Sequence, residues 1–84
     1  MSEQTVSINL PFLGEGIKQA KIVGWNYKPG DQVQLDDDVA EVVTDKATFH
    51  IPSPCQGMLK EICVPEGQDA QIGQVLALLD PSHG

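Results

Sequence analysis

Arginine is absent from this sequence, and five lysines stand against 12 acidic residues, for a formal net charge of −7. Binding nucleic acid depends on neutralising phosphates with cationic side chains, so this chain offers little for that task. An anionic membrane surface is disfavoured for the same reason, whereas a basic protein partner suits the charge. No apolar run approaches the length needed to span a bilayer. Residues 1–4 have neither a basic region nor an apolar core, so no secretory signal is expected. Cysteine is scarce, with only Cys55 and Cys63, which gives no disulfide framework. Neither thiol forms metal-ligand spacing with His50 or His83, so no metal site is expected. Both thiols are read as reduced and structural, in a cytosol-like compartment. No nucleophile–base pair, metal cluster or phosphate-binding loop is present, so no catalytic residue is assigned and a free-standing enzyme lacks support.

Helical periodicity is also missing; the chain instead has short apolar runs that alternate with polar residues, divided by Pro and Gly. Its 84 residues, 40% hydrophobic, suffice for one small domain. Residues 5–10 alternate, with Val6, Ile8 and Leu10 on one face of a strand. Pro11 ends that strand, and Phe12, Leu13, Gly14, Glu15, Gly16 and Ile17 form a surface loop anchored by its three apolar members. Residues 19–27 make a second strand, with Ile22, Val23 and Trp25 available to the core. Lys28-Pro29-Gly30-Asp31 is a turn, Val33 and Leu35 a brief apolar pair, and Asp36-Asp37-Asp38 a solvated turn. Strands over 39–44, 47–51, 58–64 and 75–79, with a brief pair at Ala70 and Ile72, complete the series. The domain is expected to cover residues 1–80, and residues 81–84 read as the start of a linker.

A shift of 37 positions exposes an internal repeat. Gly30 falls on Gly67, Val33 on Ala70, Leu35 on Ile72, Val39 on Leu76, Ala40 on Ala77, Trp25 on Ile62 and Tyr27 on Val64. Each half reads as one four-strand unit that cannot bury its apolar face alone. The expected fold is therefore all-β, a flattened barrel or sandwich of two four-stranded antiparallel sheets with a pseudo-two-fold repeat. The halves differ in one loop, residues 11–19, which is about five residues longer than its counterpart. Loops absorb length cheaply, so a neutral insertion is one reading; a recognition element is the other.

The halves meet at a hairpin whose tip carries Lys46, the only lysine between Lys28 and Lys60. A turn lysine is most often a solubilising group. A lone amine on a rigid hairpin is also an accessible modification site, and the rigid base limits where an attached group can swing.

Several segments decide between these readings. Leu13-Gly14-Glu15-Gly16-Ile17, Trp25 with Lys28-Pro29-Gly30-Asp31, Thr44-Asp45-Lys46-Ala47, Ile51-Pro52-Ser53-Pro54 and Val64-Pro65-Glu66-Gly67 occur in order on the repeat. Together they resemble the lipoyl domains of dihydrolipoamide acyltransferases in 2-oxoacid dehydrogenase complexes, over nearly the whole chain. The likeness is greatest to the pyruvate dehydrogenase type, while Asp36 is also similar to branched-chain 2-oxoacid complexes. Biotinyl carrier domains share the fold, but methionines flank their lysine, where this chain has Asp45 and Ala47. An unmodified β-sandwich that only binds other proteins is the alternative from another class.

The resemblance implies a carrier that performs no bond chemistry itself. A lipoate ligase or lipoyl transferase would join lipoic acid to Lys46 as an amide, within the modification turn of Asp45 and Ala47. A thiamine-diphosphate 2-oxoacid dehydrogenase would reductively acylate the arm, the acyltransferase core would pass the acyl group to coenzyme A, and dihydrolipoamide dehydrogenase would reoxidise the dithiol. Leu13, Gly14, Glu15, Gly16 and Ile17 would recognise the dehydrogenase. The implied compartment is the bacterial cytoplasm or the mitochondrial matrix, and the isolated domain is expected to be a monomer. If strand 1 runs beside the strands that bracket Lys46, the loop shares the end of the molecule on which Lys46 stands, with the chain termini at the other end.

Overall fold

The computed structural model describes residues 5–81, and the expectations for residues 1–4 and 82–84, His83 and most of the linker included, lie outside them. Eight strands form, β1 (Val6–Asn9), β2 (Gln19–Trp25), β3 (Gln32–Val33), β4 (Asp38–Val43), β5 (Thr48–Pro52), β6 (Gly57–Ile62), β7 (Asp69–Gln71) and β8 (Val75–Asp80), with no α-helix among the described residues. They make two four-stranded sheets, ordered β1-β8-β6-β3 and β5-β4-β2-β7, in which every pairing is antiparallel. Val, Ile and Leu at alternate positions explain this, because successive strand residues face opposite sides of a sheet.

The repeat is present, but its halves are interleaved rather than packed as separate units. Each sheet takes two strands from each half, and advancing every strand by half the series converts one sheet order into the other. The irregularities repeat as well: the β2–β4 ladder shifts between Ile22 and Gly24, and the β6–β8 ladder shifts 37 residues later, between Leu59 and Glu61. Ile8 lies opposite Ala77 as Ile51 lies opposite Ala40, so β1 maps onto β5 with an offset of 43. The difference of six between the two offsets is the excess length of the first loop, one more than the sequence pattern implied.

The core consists of paired positions in the two halves, such as Ile8 with Ile51, Ile22 with Leu59, Val39 with Leu76, and Val42 with Leu79, all almost fully buried. Trp25 and Tyr27 pack against its edge; the indole N–H donates to the Val64 carbonyl at 2.9 Å and the Tyr27 hydroxyl to Asp37 Oδ2 at 2.9 Å. The Asp37 carboxylate and desolvation push the Tyr27 phenol above its ordinary pKa, which affects stability only at strongly alkaline pH.

Several expected core positions are not in the core. Val23 is exposed, because alternation already turns its neighbour Ile22 inward. Leu35 lies beyond the end of β3 and is 59% exposed. Phe12 is 72% exposed, so it does not anchor its loop. Cys63 follows the end of β6 and is exposed, so it is not a packing residue; Cys55 does pack against the core. Tyr27 lies past the end of β2. Gly57 begins β6 rather than ending a turn; a Cβ there would come within 2.7 Å of the Asp80 carbonyl.

Asp36 is the one described non-glycine residue with positive φ, at 69°, and the repeat places it opposite Gly73, whose φ is 88°. The hydrogen bonds correspond: Asp36 N–H donates to the Ser53 carbonyl as Gly73 N–H donates to that of Leu10. The left-handed region costs an L-residue about 1–2 kcal/mol, less for Asp, and glycine loses some of that gain through unfolded-state entropy. Asp36→Gly is therefore expected to stabilise the domain by about 0.5–1 kcal/mol. A higher urea midpoint at unchanged slope would bear this out, and a lower midpoint would refute it.

Candidate functional site

The site is built on the hairpin between β4 and β5, where Val43 lies opposite Thr48. β4 is an inner strand held on both sides, by β5 and β2, which gives the turn a stiff base. Four residues make the link. Thr44 N–H donates to the Ala47 carbonyl at 2.9 Å. The Thr44 hydroxyl accepts from the N–H groups of Lys46 at 3.1 Å and Ala47 at 3.2 Å, and donates to the Ala47 carbonyl at 3.3 Å. Thr44 is half-buried, whereas Asp45, Lys46 and Ala47 are exposed.

This turn departs from the usual tight hairpin. Connections with two central residues favour positive φ there, which matches the strand twist. Neither Asp45 nor Lys46 has positive φ. A side-chain hydroxyl closes the turn instead, as Ser and Thr do when they bond to nearby backbone amides. The sequence reading located Asp45, Lys46 and Ala47 but gave no role to Thr44. A threonine ahead of two polar residues at a hairpin carries that signal.

The Lys46 amine has no ion-pair or hydrogen-bond partner among the described residues. It projects from the tip into water and is not among the residues of the neighbouring groove. A free, exposed primary amine on a stapled turn fits covalent attachment of a carboxylic acid through an amide, with the attached group outside the fold.

The loop between β1 and β2 borders the same end. Gly14 and Gly16 have φ of 142° and 82°, and the Ile17 N–H closes the turn on the Gly14 carbonyl at 3.2 Å. Glu15 is displayed to solvent between them, Leu13 packs against the core, and Ile17 is half-buried. An open groove runs between this loop and the hairpin, lined by Gly16, Ile17, Lys18 and Lys21 on one side and Val43, Thr44 and Asp45 on the other. The expected cause of this proximity needs correction. β1 lies in the opposite sheet from β4 and β5; the start of β2 brings the loop near, with Lys21 opposite Val43. The Lys18 carbonyl accepts from Ile72 N–H, and Leu10 N–H donates to Gln74, so the end of β1 and the start of β8 share this end. Val6 and Leu79, paired at the other ends of β1 and β8, therefore lie away from the hairpin.

Comparison with known proteins agrees with this geometry. The family described as "Biotin-requiring enzyme", the biotin/lipoyl family, matches residues 6–79. A Bacillus subtilis protein named dihydrolipoyllysine-residue acetyltransferase component of pyruvate dehydrogenase complex is 48% identical over 71 residues, 84% of this chain and 16% of that protein. The Staphylococcus aureus (strain Mu50) protein of the same name is 45% identical over the same shares. The chain thus spans about one sixth of the length of these relatives. Among solved structures, the lipoyl domain of the 2-oxoglutarate dehydrogenase complex from Azotobacter vinelandii superposes with a TM-score of 0.71 at 28% identity, covering 88% of this chain and 94% of that one.

Proposed function

The chain belongs to the biotin/lipoyl family, and from that premise we propose that it is a lipoyl carrier domain with lipoic acid joined to the Lys46 amine. The observation that carries this reading is the unpartnered Lys46 amine at the tip of a stapled hairpin, at the end of the domain away from Val6 and Leu79. Asp45 and Ala47 flank it, and no methionine adjoins it, which favours lipoate over biotin. The names of the curated relatives support the same choice.

Attachment is amide formation. The lysine nitrogen attacks the carbonyl carbon of an activated lipoyl carboxyl. The C–N bond forms as the bond to the activating group breaks, that group departs with its electron pair, and the nitrogen sheds a proton to the modifying ligase or transferase. Once attached, the dithiolane supplies the disulfide–dithiol chemistry that carries acyl groups and electrons. The protein supplies position and effective concentration, as a tethered module does. β4 and β5 fix the root of the arm, Thr44 fixes the turn, and Glu15 with its flanking glycines forms a surface beside it. The parent on this reading is a dihydrolipoamide acetyltransferase of a pyruvate dehydrogenase complex. Its partners are the thiamine-diphosphate dehydrogenase, the acyltransferase core and dihydrolipoamide dehydrogenase, in the bacterial cytoplasm or the mitochondrial matrix.

Asp45 and Lys46 hold different places in the turn, and only the peptide planes on either side of Lys46 are both held by the Thr44 hydroxyl, so moving the lysine by one position re-aims the amine. The double variant Asp45→Lys/Lys46→Ala is expected to fold and to escape modification by a lipoate ligase. Efficient lipoylation of that variant, seen as a mass increase, would mean that exposure alone selects the site.

A further inference from the structure

The hydrogen bonds of the hairpin point to a residue that acts on Lys46 without being modified. The two N–H groups that the Thr44 hydroxyl accepts, at 3.1 Å from Lys46 and 3.2 Å from Ala47, lie on either side of the Lys46 Cα. One oxygen therefore holds both peptide planes that set the direction of the lysine side chain. The same hydroxyl donates to the Ala47 carbonyl at 3.3 Å. Without it, the turn keeps only the hydrogen bond from the Thr44 N–H to the Ala47 carbonyl at 2.9 Å. The backbone cannot compensate through its own conformation, because neither central residue adopts the positive φ that stabilises tight hairpins.

Resting on the lipoyl reading above, we infer that Thr44 is a positioning residue for attachment to Lys46. Its hydroxyl keeps the turn in the one arrangement that a modifying enzyme meets. A turn that samples several arrangements presents the productive one only part of the time, and the apparent rate constant falls by that fraction. Thr44→Val removes the hydroxyl and keeps the β-branched shape that suits a strand end. Thr44→Ser keeps the hydroxyl and removes a methyl group. The inference orders these as wild type close to Ser and both well above Val.

The experiment is lipoylation of the purified domains by a lipoate ligase supplied with ATP and lipoate, with initial rates read by intact mass over a range of domain concentrations. Thr44→Val is expected to lose about tenfold in kcat/KM, the scale set by one or two hydrogen bonds ceasing to bias the turn. Thr44→Ser is expected to stay within about threefold of wild type. Melting temperatures should agree within a few degrees, since Thr44 is half-exposed. Hydrogen exchange at the Lys46 and Ala47 amides should rise in Thr44→Val alone. If Thr44→Val fails to fold, Thr44→Ala takes its place under the same criteria. A valine or alanine domain lipoylated as fast as wild type overturns the role of Thr44, as does a serine variant as slow as valine. A folded wild-type domain that takes no lipoate in the same assay overturns the lipoyl reading itself, which keeps the two failures distinct.

Discussion

Arginine in place of Lys46 is expected to abolish lipoylation while leaving the fold unchanged. Lys46 is exposed and its amine touches no partner among the described residues, so the substitution removes no contact. Surface changes of this kind usually shift stability by no more than about 0.5 kcal/mol. Arginine keeps the positive charge, so an effect on modification cannot come from net charge. Its guanidinium holds its proton throughout the accessible pH range and offers no amine to acylate. The remaining lysines occupy other settings: Lys18 and Lys21 line the groove, Lys28 lies in the turn after β2, and Lys60 is on β6. None stands at the tip of a two-strand hairpin. Intact mass and a thermal melt of Lys46→Arg, expressed with a lipoate ligase and lipoate, check both halves of the expectation. A lipoyl group on another lysine would mean that the ligase does not read this turn.

Shortening the β1–β2 loop is expected to separate two recognition events. The repeat dictates the design: residues 11–18 are replaced by Pro-Cys, after the Pro54-Cys55 of the second half, with Leu10 and Gln19 retained. This removes the six extra residues together with Glu15 and the paired glycines. The cost to the fold is expected to be small. Loop closure becomes slightly easier, and the packing of Leu13 is exchanged for a cysteine contact like that of Cys55. Lipoylation at Lys46 should proceed at the wild-type rate, because the loop makes none of the hydrogen bonds that hold the turn. Reductive acylation by the partner dehydrogenase should fall by about tenfold or more, which corresponds to about 1.4 kcal/mol of lost recognition. Free lipoamide, lacking any scaffold, gives the control rate. If the shortened domain is acylated as fast as the original, the loop is only an insertion and recognition lies outside residues 11–18, a segment that includes the exposed Phe12.

Much of this fold could be read from residues alone, because alternation, Pro-Gly punctuation and a repeat of fixed offset all refer to local geometry. The offset linking Ile22 to Leu59 and Val39 to Leu76 survives in the structure as matched ladders and bulges. Pairing partners were not legible. Alternation assigns a residue to a face of its strand but does not select the neighbouring strand, so it reveals neither that β1 pairs in the sheet opposite β4 and β5 nor that the halves interleave. Val23 and Leu35 were assigned inward on hydrophobicity, although the first neighbours an inward residue and the second lies outside its strand. Lys46 was legible because one exposed lysine at a turn is a local pattern. The hydroxyl of Thr44 was not, since its role depends on a backbone conformation that the residues Asp45 and Lys46 do not announce.

The central claim, that this fold exists to present Lys46 for lipoate, is tested most directly by the mass of the wild-type domain. The chain is produced in cells that supply lipoate and a lipoate ligase, weighed intact, and then cleaved into peptides. The account predicts one adduct, the mass of a single lipoyl amide, in the peptide that contains Thr44-Asp45-Lys46-Ala47. A folded domain that remains unmodified, carries biotin instead, or bears its lipoyl group on any of the other four lysines would contradict it.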